Sequence, residues 1–115
     1  MPYLKINQDD AKPLFEELVL PDEPRAWVVA CHNVLACSTI DIVRTVLRDI
    51  VLVVDGEAKL LDGWQNRINK VASTLYGPAR ALIIGDAILS RVAGDKLVPL
   101  TSDDVDRLRY YWRYW

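Results

Sequence analysis

Chemistry-bearing residues are scarce in this chain. Its 115 residues include one His, two Cys, one Met and one Phe. A zinc site needs about four Cys or His ligands at recognisable spacings, so no metal is expected. His32 stands beside Cys31, and Cys37 follows six residues later. On one helix those thiols would lie about 9 Å apart along the axis, too far for a disulfide. Free thiols in a reducing compartment follow.

Other absences exclude more. There is no glycine-rich phosphate loop, no His-Glu-x-x-His and no Gly-x-Ser-x-Gly, so no cofactor is expected. One His leaves little for a nucleophilic triad. The chain opens Met-Pro-Tyr-Leu-Lys-Ile without the basic and apolar regions of a signal peptide. No apolar run approaches the ~20 residues of a membrane span. A cytoplasmic protein is expected. The formal charge is −2, which offers no general attraction to phosphate. It is unevenly spread: residues 1–57 carry 5 basic and 10 acidic side chains, residues 58–115 carry 9 and 6.

What is present is an apolar chain, 51% hydrophobic, with clear start and stop signals. Asp9 or Asp10 can cap a first helix reaching Leu20, with Pro13 in its first turn. Asp22-Glu23-Pro24 opens a second, with Trp27, Cys31, Val34 and Leu35 on one face and His32 towards solvent. Ser38-Thr39-Ile40-Asp41 resembles a capping box, and Ile40, Val43, Val46, Leu47, Ile50, Val51 and Val54 then form a helical stripe. A hairpin over residues 51–61, turning at Asp55-Gly56, is the rival there. Leu61, Trp64, Ile68, Val71 and Leu75 mark a fourth helix, closed by Gly77. Residues 79–93 are nearly all apolar and predict a central fifth. Thr101 caps a last helix, with Asp103, Asp104 and Asp106 early and Arg107, Arg109 and Arg113 late, as the helix dipole favours. Leu100 and Val105 can staple its start. The expectation is a single helical domain, residues 1–115, all-α, a compact bundle of five or six short helices.

One feature is anomalous in composition. The last nine residues, Arg107-Leu-Arg-Tyr-Tyr-Trp-Arg-Tyr-Trp115, hold five aromatics and three arginines. Tyr, Trp and Arg are the residues most enriched at binding hot spots. On a helix Val105, Leu108, Trp112 and Trp115 face inward, with Tyr111 at the edge and Tyr110 and Tyr114 outward. The expected partner-binding set is Arg107, Tyr110, Tyr111, Trp112, Arg113, Tyr114 and Trp115. The expected function is a non-enzymatic protein–protein interaction module that docks another protein or itself as a homodimer. Adaptors, immunity or antitoxin proteins and phage-type inhibitors are of this kind. The same residues could stack bases and pair phosphates of nucleic acid, an alternative weakened by the neighbouring aspartates. A small enzyme using Asp86 as acid or base is the further alternative, because Asp86 alone is acidic within an apolar segment.

Overall fold

Among the described residues α-helix forms in three stretches. The computed structural model describes residues 2–77 and 81–113, with side chains as far as Tyr111. Helix α1 spans Pro24–Leu35, α2 Lys70–Tyr76 and α3 Ser102–Arg113. The strands are β1 Tyr3–Ile6, β2 Phe15–Leu18, β3 Ile40–Arg44, β4 Ile50–Asp55, β5 Ala87–Ala93 and β6 Lys96–Val98. All pair antiparallel in one six-stranded sheet, in the order β2-β1-β5-β4-β3. β6 lies beside β5, end to end with β1: Leu89 pairs with Leu4, and Arg91 with Val98.

The expected all-α bundle is thus replaced by a sheet with three helices. Nine of the fifteen residues from 40 to 54 are Ile, Val or Thr, whose stiff side chains disfavour helix and suit a pleated surface. They form the β3–β4 hairpin, with Arg44 opposite Val51. The rival hairpin at Asp55-Gly56 does not form either. β4 ends there, and Asp55 Oδ1 accepts the Glu57 N–H at 2.9 Å to start a short 3₁₀ turn at Ala58–Leu60. The expected fifth helix is broken at Gly85, whose φ of +79° no helix accepts, and β5 follows. Its first residues, Ala87-Ile88-Leu89-Ser90, are all buried, the mark of a strand covered on both faces. The expected fourth helix splits at Gly63 and Asn69 into a 3₁₀ turn, Trp64–Arg67, and α2. In place of the first expected helix, residues 15–18 form β2.

Side-chain alternation sorts the sheet into two cores. Leu4, Ile6, Ile50, Leu52, Ala87 and Leu89 face α2 and α3, meeting Val71, Leu75, Leu100 and Leu108. Tyr3, Val53 and Ile88 face the other way and meet Trp27, Cys31 and Leu35 of α1. Buried Asn69 joins the first core to the sheet. Its Oδ1 accepts the Ala72 N–H at 3.0 Å as the α2 cap, and its Nδ2 donates to Ile6 O (3.1 Å) and Gly85 O (3.0 Å).

The expected second and last helices form as α1 and α3, at the starts the sequence indicates. Glu23 accepts from the Arg25 and Ala26 amides and Pro24 opens α1. Thr101 Oγ1 accepts the Asp104 N–H at 3.1 Å while Asp104 Oδ2 accepts the Thr101 N–H at 2.9 Å, a reciprocal box that starts α3.

Candidate functional site

The carboxyl-terminal set divides. Tyr111 packs against the core, and Arg107 Nη2 donates to Asp104 Oδ1 at 2.8 Å and to Arg48 O at 3.2 Å. Tyr110 is 67% exposed. It continues a stripe of exposed residues, Asp103, Asp106 and Arg107, along the outside of α3. Trp112 and Arg113 lie on α3, with side chains outside the described residues, as are Tyr114 and Trp115. Asp104 is completely buried, with Arg91 Nη1 also donating to it at 2.7 Å. Burial pushes its carboxyl pKa up. The Thr101 amide, Arg107, the Thr101 hydroxyl and Arg91 outweigh burial and hold it below the ordinary carboxylate value.

Asp86 occupies the entry to β5, outside any cleft described below. It accepts the Gln8 N–H at 2.8 Å and pairs with Lys5 Nζ at 3.4 Å. Ser90, further along β5, donates to Val98 O at 3.0 Å. Both Cys31 and Cys37 are free thiols. Burial raises the Cys31 pKa to about 11, so it is a poor nucleophile near neutral pH. His32 is half-buried, its Nδ1 3.0 Å from Cys37 O at the end of α1.

A concavity of about 510 Å³ lies between the first turns of α1 and the β5–β6 hairpin. That is within the ~300–1,000 Å³ usual for binding sites. The cleft at the β3–β4 loop holds about 300 Å³ and that beside α2 about 250 Å³. The floor is aromatic, made by Tyr3 and Trp27, with Val28 and Leu97 on the walls and Asp22, Asp95 and Lys96 as its charged groups.

Local sequence explains each placement. The Glu23–Pro24 cap fixes where α1 begins, and the spacing Trp27, Cys31, Leu35 turns one stripe onto the sheet. Tyr3 reaches the same face by alternation from Leu4. Gly94, at φ +66°, opens the two-residue loop Gly94-Asp95 that returns β6 beside β5.

Trp27 is 9% exposed and its Nε1 is fully buried; no acceptor meets it at good hydrogen-bonding geometry, and the Tyr3 hydroxyl is the group it acts on. The neighbouring Tyr3 hydroxyl has its pKa raised, chiefly by burial; the Trp27 indole tempers that rise, and Asp22 and Cys31 add to it. The groove therefore has an apolar, aromatic floor with a net acidic rim. That arrangement favours a ligand with an apolar body and neutral or positive charge. The other such buried atom among the described residues is Asn7 Oδ1, whose amide already donates to Pro13 O and Glu16 Oε1.

Sequence reasoning missed this groove. Trp27 was legible as a buried helix position, but its floor partner Tyr3 lies 24 residues away and Leu97 70 residues away. The only available signal was that Trp carries a polar N–H needing an acceptor wherever it is buried.

The fold and groove define a small α/β protein: an antiparallel sheet covered by α1 on one face and by α2 and α3 on the other. No family model, curated protein or solved structure matches the chain. Among the described residues no helix is long and apolar enough to cross a membrane.

Proposed function

We propose that this chain is a non-enzymatic protein-interaction module that holds an apolar side chain of a partner protein in the groove between α1 and β6. The observation that carries it is the concavity of about 510 Å³ whose lining brings together Tyr3, Trp27, Val28 and Leu97. Aromatics set in a pocket are the usual anchors of interfaces. The non-enzymatic reading is supported by the chemistry of the polar groups: Asp86 is held in an ion pair, and Cys31 is a buried, high-pKa thiol.

The test uses peptides selected from a random display library on the full chain. Of four indole N–H resonances, that of Trp27 should shift on titration while that of distant Trp64 stays fixed. Trp27→Phe shrinks the aromatic floor and releases the Tyr3 hydroxyl from the indole, and should weaken binding about tenfold. Selected peptides that bind Trp27→Phe as tightly as the parent, or a failure to select any, would overturn the reading.

A second reading concerns self-association. The outer stripe of α3 runs Asp103, Asp106, Arg107, Tyr110, acid first and base last. Two such helices set antiparallel place acid against base on both sides of a two-fold axis. Tyr110 sits towards the end of that stripe and supplies exposed aromatic area.

A further inference from the structure

β6 is a three-residue strand whose one partner is β5. Its pairs are Ala93 with Lys96, Val92 with Leu97 and Arg91 with Val98. In an antiparallel hairpin closed by two residues the pair flanking the loop is hydrogen-bonded, and bonded and unbonded pairs alternate. Lys96 and Val98 therefore direct their main-chain groups to β5. The N–H and C=O of Leu97 point away from it. Among the described residues no turn, loop or cap hydrogen bond of the backbone reaches them, and β6 has no strand on that side. This free edge is one wall of the groove, and the Leu97 side chain joins the Tyr3–Trp27 core.

We propose that the groove receives an extended, basic segment of a partner protein, which adds to β6 as a further antiparallel strand. The inference rests on the interaction reading given above. Segments that extend a sheet draw affinity from main-chain bonds and specificity from alternate side chains. The residue opposite Leu97 exchanges N–H and C=O with it. Its side chain then points to the face that Leu97 occupies, over Trp27 and Tyr3. A bulky apolar anchor fits that position. Pro99 follows β6 directly and lacks an N–H, so the added ladder is short and the anchor dominates. Charge selects the flanks: Asp22 and Asp95 outnumber Lys96 in the lining, and Lys or Arg beside the anchor complements them.

The experiment leaves the protein intact. Peptides from the display selection that depend on Trp27 are resynthesised with one N-methyl group at a time, and affinity is measured against the full chain. Methylation at the anchor residue should weaken binding at least tenfold, because its N–H is the one given to Leu97. Methylation at either neighbour, whose N–H points to solvent, should change it less than twofold. Asp22→Asn should weaken peptides with a flanking Lys or Arg and spare neutral versions. Uniform tolerance of methylation would overturn strand addition while leaving Trp27-dependent binding in place. Sensitivity at the neighbours would overturn the antiparallel register. No Trp27-dependent peptide at all would remove the interaction reading itself.

Discussion

A buried carboxylate between two arginines governs the junction of β5 with α3. Asp104 accepts from Arg91, Arg107 and the Thr101 amide, so its removal unsatisfies three donors, two of them charged and partly exposed. Asp104→Asn should cost about 2 kcal/mol in denaturant unfolding at neutral pH, in the range for hydrogen bonds to charged groups. Linkage gives the pH dependence. The folded pKa lies below the ordinary 3.8, so the stabilisation is fully present above about that pH. It is lost as pH falls through the lower folded value. The stability gap between the parent and Asp104→Asn should accordingly narrow below pH ~4. A gap that stayed constant would mean that the carboxylate charge contributes nothing.

At the scale of elements, helix ends carry most of the local information. α1 ends at Ala36, held left-handed at φ 50°, ψ 50°, with the Cys37 amide donating to His32 O at 3.1 Å. A side-chain Cβ in that conformation costs roughly 1–2 kcal/mol, part of which a glycine's greater unfolded entropy offsets. Ala36→Gly should stabilise by about 0.5–1 kcal/mol and raise the Tm by roughly 3–5 °C in a thermal melt. No gain would mean that the strain is already relieved by packing around Cys37. Both α1 and α3 were legible in the sequence, because Glu23-Pro24 and Thr101-x-x-Asp104 satisfy their own amides locally. β3, β4 and β5 were not. Their apolar residues fit a helical period as well as a strand, and the deciding hydrogen bonds join residues such as Leu52 and Leu89. The β-branched density of 40–54 and the breaker Gly85 were the cues that periodicity outweighed.

At the scale of the molecule, the sheet separates the two surfaces proposed for binding. The groove lies on the α1 face, and the α3 stripe on the other. Binding at one leaves the other open. If α3 pairs with a second copy, light scattering across concentration should show 13.1 kDa rising towards twice that mass. Tyr110→Ala should hold the monomer, and added salt should weaken the dimer because its charges are exposed. A constant monomer mass at every concentration would remove this reading and leave α3 as a cover for the core.

The sequence by itself determined where α1 and α3 start, the inward face of α1, and the scarcity of His and Cys. Each is settled by residues within about one helical turn or by composition alone. Only the tertiary structure decided that the apolar middle is a sheet, because strand pairing is a long-range choice. It also decided where function is sought. Tyr3, Trp27 and Leu97 become neighbours only after β1, α1 and β6 are assembled on β5, and the aromatic floor of the groove exists only once they are.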